Sequence, residues 1–179
     1  MRALGPGSVS SFLKVVLDVV YVALWILLAT SLVVAAAVPI IQPFTGNTHF
    51  YIDLGTLAKG TTNFAGKTLQ ISGLLVLVGG YFGALIVIIN RLRKVFEALI
   101  QGDPFRAHNV GRLRVIGLGL IALEALGYLV HLTTAVVLAG ARRDVSINLT
   151  AWFAILVVFV LAEVFREGAR LRDEAELTI

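Results

Sequence analysis

Apolar residues fill this chain in four long blocks, roughly 15–41, 69–89, 115–139 and 147–165, with polar stretches between them. A helix needs about 20 mostly apolar residues, range about 17–25, to cross the hydrocarbon of a bilayer. Three blocks meet that length and the fourth just reaches it. The pattern predicts membrane-crossing helices over about 12–41, 69–101, 110–139 and 147–175. The expected fold is all-α: one transmembrane domain over 1–179, an integral membrane four-helix bundle with cytoplasmic amphipathic extensions.

The polar positions refine each element. Gly5, Pro6 and Gly7 with the following serines read as a short leader. A signal-peptide core is about 7–15 residues; this apolar run is longer and holds Asp18, so it is read as a retained first helix. Ser10 or Ser11 is its candidate N-cap. Lys14, Asp18, Tyr21 and Trp25 follow at i, i+4, i+7 and i+11, along one stripe of that helix. Pro39, Pro43, Gly46 and Asn47 are expected to end it. In the extracytoplasmic loop 42–68, His49–Leu54 alternates weakly like a strand, but an ordered loop is preferred to a hairpin.

In the second helix, Gly79 with Gly83 and Gly80 with Ala84 form small-xxx-small pairs, which let another backbone approach closely. They suit packing within one bundle, or a homo-oligomer through Gly79/Gly83. Leu92, Val95, Phe96, Leu99 and Ile100 recur at i, i+3, i+4, i+7 and i+8, an amphipathic continuation. Gly102 and Asp103-Pro104 stop it, and Asn109 is the candidate N-cap of the third helix. The tail 166–179 reads as a helix leaving the bilayer. Phe165 and the tail's Ala169, Leu171 and Leu177 are expected to fold back over the 92–100 face.

Composition narrows the function classes. Hydrophobic residues make up 58% and charged ones 15%, with mean hydropathy +0.91, against about 45–50% and about 25% in soluble domains. Cysteine is absent, which excludes disulfides, thiolate metal sites and cysteine nucleophiles. The net charge of +4 comes without a basic stripe interleaved with aromatics, so direct nucleic-acid binding is not expected. Eleven basic residues (Arg2, Lys14, Arg91, Arg93, Lys94, Arg106, Arg112, Arg114, Arg166, Arg170, Arg172) fall on one side of the four spans. Only Lys59, Lys67, Arg142 and Arg143 fall on the other. The positive-inside bias then puts both termini and the insert 91–114 in the cytoplasm of a multi-pass inner-membrane protein.

Glu124 lies about ten residues past Arg114, about 15 Å deep at 1.5 Å per residue. A carboxylate there costs several kcal/mol unless protonated, paired or hydrated, so it is either a proton or cation site or a hydrogen-bonded structural group. His131 shares its face with Tyr128 between them, and only His49 could join it on a metal, so no metal site or cofactor is expected. Asp18 and Glu163 sit about a turn inside the cytoplasmic boundary beside Lys14, Arg166 and the ends of helices two and three. They read as an ion-pair belt, with a substrate site as the alternative. Three Arg-Leu-Arg triplets, at 91–93, 112–114 and 170–172, mark cytoplasmic helix ends and suit lipid headgroups and nearby acids.

Two stretches carry a resemblance. Gly102-Asp-Pro-Phe-Arg-Ala-His-Asn-Val-Gly-Arg-Leu-Arg-Val-Ile-Gly117 resembles the G-x-P-F-x-x-x-N-x-x-R-L-R-x-I-G signature of a bacterial membrane family, domain of unknown function 2975. Leu161–Ile179 is similar to that family's ending, and the four-span layout agrees over nearly the whole chain. The resemblance implies a four-helix inner-membrane protein with no assigned activity, whose genes often stand beside one for a small helix-turn-helix regulator. No Ser, His and Asp cluster or metal-ligand spacing points to an enzyme. The expected function is a non-enzymatic membrane regulator or sensor whose cytoplasmic layer binds a protein partner. Pro104, Phe105, Asn109, Arg112, Arg114, Arg166 and Arg170 are its candidate contacts. The alternative is a small transporter, channel or channel subunit using Glu124.

Overall fold

The computed structural model describes residues 9–45, 49–53, 59–63, 66–101, 107–138 and 147–176. In chain order these form α1 (Val9–Thr45), β1 (His49–Asp53), β2 (Lys59–Asn63), α2 (Thr68–Ile100), α3 (Ala107–Val137) and α4 (Leu149–Glu176). Each helix holds a segment long and apolar enough to cross a membrane: Phe12–Phe44, Thr68–Ile100, His108–Val137 and Leu149–Ala175. The 33 residues of α2 extend about 50 Å at 1.5 Å per residue, well beyond a hydrocarbon layer of about 30 Å.

Local signals set several boundaries differently from the sequence reading. Helix α1 begins at Val9, so Ser10 and Ser11 lie inside its first turn rather than capping it. It also runs through Pro39 and Pro43 to Thr45. Each proline removes one intrahelical bond, but an apolar segment keeps its remaining backbone bonds most cheaply as a helix. Residues 49–53 and 59–63 pair antiparallel, His49 opposite Asn63 through Asp53 opposite Lys59. The preferred plain loop is therefore a hairpin here, and the other elements among the described residues are helices. Gly66 then takes φ 78°, a left-handed conformation that glycine adopts without strain, just before α2.

Helix α3 starts at Ala107, two residues before Asn109, so Asn109 is a helical residue and not its cap. A true N-cap is present on α4, where the Ala151 amide donates to Asn148 Oδ1 at 3.2 Å. That bond satisfies one of the amides a helix start leaves without a partner.

The chain divides into two compact units. One comprises Met1–Ala23, Ala84–Ile121 and Asn148–Ile179; the other comprises Leu24–Gly83 and Ala122–Ile147. In the second, Leu74, Val78 and Val130 form one buried cluster, with Leu77 and Phe82 against it. Val38, Ile71, Val137 and Leu138 form another, with Leu75. In the first, α4 buries Ile155, Ala162 and Ala169, one residue every seven, a narrow seam of the kind helices use to pack. Most of its other apolar side chains are exposed, Phe153, Leu156, Val160 and Val164 among them. So large an apolar surface suits a lipid surround and would be a liability in water. Of the tail residues expected to cover the 92–100 face, Ala169 is buried, but Leu171 is 55% exposed. Leu177 lies outside the described residues.

Candidate functional site

The first unit holds a polar assembly built on matching helical spacings. Lys14 and Asp18 are four apart on α1, and Arg93 and Glu97 are four apart on α2, so each pair lies on one helix face. Lys14 Nζ meets Glu97 Oε1 at 3.2 Å and Arg93 Nε meets Asp18 Oδ1 at 2.6 Å. Stepping one turn along α1 thus steps one turn back along α2, which requires the two segments to run antiparallel. Arg93 and Asp18 touch as an ion pair rather than along a hydrogen-bond direction. The guanidinium carbon of Arg93 also lies 4.7 Å from the Tyr21 ring centre, a cation–π contact worth about 0.5–1 kcal/mol at exposed sites.

The signature residues lie at the next corner. Asn109 is 0% exposed, and a buried amide needs partners. Arg112, one turn on, donates from Nη1 to Asn109 Oδ1 at 2.8 Å and to the Lys94 carbonyl at 2.8 Å. The asparagine and first arginine of N-x-x-R thereby tie the start of α3 to α2. Beside them opens a groove of about 290 Å³ lined by Lys94, Glu97, Ala98, Gln101, His108 and Arg112. Further along α3, a Cβ on Gly117 would lie 2.9 Å from two ring carbons of Phe159, and one on Gly119 would lie 2.7 Å from Ile88 Cγ1. Both glycines admit a neighbour that alanine would push away.

On α4 the charges pair along their own helix: Arg166 with Glu163, Arg170 Nη2 with Glu167 at 2.7 Å and Arg170 Nε with Glu174 at 3.4 Å. All five side chains are more than half open except Glu167, at 50%, and such pairs are worth about 0–1 kcal/mol each.

The second unit is bonded differently. Ser31 Oγ donates to the Leu75 carbonyl at 2.7 Å, and Lys67 Nζ donates to the Val137 carbonyl at 3.0 Å. The second bond places a cation on the last carbonyls of α3, where the helix dipole favours it. Gly79 packs within the chain: a Cβ there would lie 3.3 Å from Leu32, 3.6 Å from Ser31 and 3.7 Å from Leu28. Gly83 has nothing within 4 Å. Glu124 is half-buried in α3, close enough to Tyr81 for the two to interact electrostatically. His131 is half-buried two turns on.

Of the residues singled out from sequence, the structure joins Asn109 to Arg112 and gives Asp18 and Glu163 separate arginines, Arg93 and Arg166. Arg114, Arg166 and Arg170 are exposed, and Pro104 and Phe105 lie outside the described residues. Glu97 as the partner of Lys14, Lys67 as the cap of α3 and Gly117 as the seat of Phe159 were not anticipated. The equal spacing of opposite charges at 14/18 and 93/97 was the signal available for the first. The family model described as "Protein of unknown function (DUF2975)" matches residues 56–179, which contain both quoted motifs and leave α1 outside. No curated protein and no solved structure matches the chain.

Proposed function

Since this chain belongs to the DUF2975 family of unknown function, its role has to be argued from its residues. We propose that it is a non-enzymatic regulator or sensor of the bacterial inner membrane whose cytoplasmic layer binds a protein partner. The observation that supports this reading is the gathering of the charged motif residues into one unit. Asn109, Arg112 and Arg114 of the signature, and Arg166 and Arg170 of the family-like ending, all belong to the first unit. The eleven-to-four distribution of basic residues supports a cytoplasmic position for that unit's charged ends through the positive-inside bias. Helix α4 adds a charged segment past its apolar stretch, and such a helix end is a natural contact for another protein.

The partner class is a small helix-turn-helix DNA-binding protein. Cross-linking in native membranes followed by mass spectrometry tests this. The intact chain should recover such a protein, and the triple substitution Arg114→Gln/Arg166→Gln/Arg170→Gln should recover at least tenfold less. Equal recovery from both, or recovery of no DNA-binding protein, overturns the proposal.

A second reading rests on Glu124, an acid midway along α3 within electrostatic reach of Tyr81. Ionisable residues inside membrane spans are functional candidates by default. This reading makes the chain a small transporter, channel or channel subunit. Four helices without a visible internal repeat offer little of the architecture that transporters build on, so the regulator is preferred.

A further inference from the structure

We propose that the groove between the end of α2 and the start of α3 binds a phosphate group, held by Lys94, His108 and Arg112. The inference stands independently of the partner reading. Three of the six lining residues are cations or a titratable imidazole, and the single acid, Glu97, is already matched by Lys14 at 3.2 Å. Among the described residues that line it, the groove therefore carries an excess of positive charge. Arg112 is oriented before any ligand arrives, because its Nη1 holds both the Lys94 carbonyl and buried Asn109 at 2.8 Å. A guanidinium has five donors, and among the described residues only Nη1 of Arg112 is engaged, which leaves Nη2 and Nε to meet an anion. A fixed guanidinium beside a lysine suits phosphate better than a metal cation or an apolar group. The first amides of α3 lie next to His108 and reinforce the same sign.

The size agrees. A groove of about 290 Å³ admits a phosphate group and several waters, each water occupying about 30 Å³ in the liquid.

The level in the membrane indicates the source. From Leu69 to Ile89 helix α2 carries no charged residue, a run of 21 residues. At about 1.5 Å each it covers about 31 Å, the thickness of the hydrocarbon. Arg91 then marks its edge, and Lys94 lies about 5 Å further along the helix axis. The headgroup layer is about 5–8 Å deep on each side, so the groove opens at the level of lipid phosphates. An anionic phospholipid headgroup is the ligand this placement favours, and free phosphate shares the same chemistry.

The test uses the full chain purified in a neutral detergent, with lipid retention read by native mass spectrometry. Phosphatidylglycerol should be retained in preference to phosphatidylcholine. In Lys94→Gln/His108→Gln that retention should fall about tenfold, one decade being about 1.4 kcal/mol. Both side chains are exposed, and the Lys94 carbonyl that Arg112 uses is unchanged, so the variant should keep its far-UV circular dichroism. Lys94→Arg should retain binding. Arg172→Gln, which removes a charge on α4 that does not line the groove, should bind as the parent does. Displacement of the lipid by millimolar inorganic phosphate would make free phosphate the ligand of the same site, and resistance would make it the headgroup. Equal retention of the two lipids, or an equal loss in the Arg172→Gln control, overturns the proposal.

Discussion

Asp18 and Arg93 should behave as one energetic unit, and a double-mutant cycle measures it. Their side chains are 42% and 27% exposed and touch at 2.6 Å. An exposed pair is worth about 0–1 kcal/mol, and a desolvated one costs about 3–5 kcal/mol when one partner is removed. Partial exposure places this pair near the top of the first range, about 1 kcal/mol of coupling. Arg93 also lies over Tyr21, which adds about 0.5–1 kcal/mol. Arg93→Gln should therefore destabilise by about 1–2 kcal/mol and Asp18→Asn by about 1 kcal/mol, on those same figures. The double substitution should cost less than the sum of the singles by about 1 kcal/mol. Reversible unfolding in mixed micelles of neutral detergent and dodecyl sulfate, followed by far-UV circular dichroism, supplies the four stabilities. Raising salt from about 0.15 to about 1 M shortens the screening length from about 8 to about 3 Å. The coupling should shrink with it, and that of the more open Lys14–Glu97 pair should shrink further. Additivity within about 0.3 kcal/mol, the behaviour of independent sites, would refute the pairing.

The remaining predictions test packing, caps and topology. Gly117→Ala and Gly119→Ala should each cost about 1–3 kcal/mol, as overpacking does, because Phe159 and Ile88 occupy the space. Gly127→Ala, with nothing within 4 Å, should leave the unfolding midpoint unchanged or raise it. Lys67→Met should destabilise by about 1 kcal/mol, the usual contribution of a hydrogen bond, through the lost bond to the Val137 carbonyl. If Glu124 serves an ion pathway, Glu124→Gln should preserve folding and abolish a proton- or cation-dependent flux into proteoliposomes; unchanged flux removes the transporter reading. Single cysteines in this cysteine-free chain should report topology: Asp103→Cys and Ile179→Cys shielded from an impermeant reagent in intact cells, Thr56→Cys labelled.

The spans were legible because length and apolar content are one-dimensional properties, and a bilayer imposes one length on all of them. Fine boundaries were less legible. Pro39 and Pro43 are strong stop signals in water, yet α1 passes through both, because an apolar surround raises the cost of leaving the helix. The second strand, Lys59-Gly-Thr-Thr-Asn63, carries no apolar alternation, so only its register with His49–Asp53 identifies it. The polar pairs were half legible. Asp18 was assigned to an ion-pair belt, but its nearest cation in sequence was Lys14, and the structure gives each a different partner on α2. A single helix shows which charges share a face; which face meets them depends on the neighbouring helix. The meaning of N-x-x-R in the signature required the same third dimension, since the Lys94 carbonyl that Arg112 reaches lies eighteen residues earlier.

Both units bury apolar side chains, but the ion pairs described above lie in the first, and on the regulatory reading this decides where a signal can act. In the second, Leu74, Val78 and Val130 are almost completely buried, and truncating such a residue costs about 2–5 kcal/mol. A ligand with modest differential affinity cannot rearrange contacts of that size, since it shifts an equilibrium only by the difference in its binding to the two states. In the first, the pairs Lys14–Glu97, Asp18–Arg93 and those along α4 are all partly open. Each is worth about 1 kcal/mol or less, comparable to one new contact from a headgroup or a partner's side chain. An anion seated beside Lys94 and Arg112 repels Glu97 across the groove and so bears on its pair with Lys14. A partner's acid at Arg166 or Arg170 competes with Glu163, Glu167 or Glu174. Exchange among such pairs leaves the apolar clusters of the second unit intact. The open charged pairs are therefore the contacts that binding can reset, and variants that uncouple those along α4 should alter partner recovery with little change in unfolding.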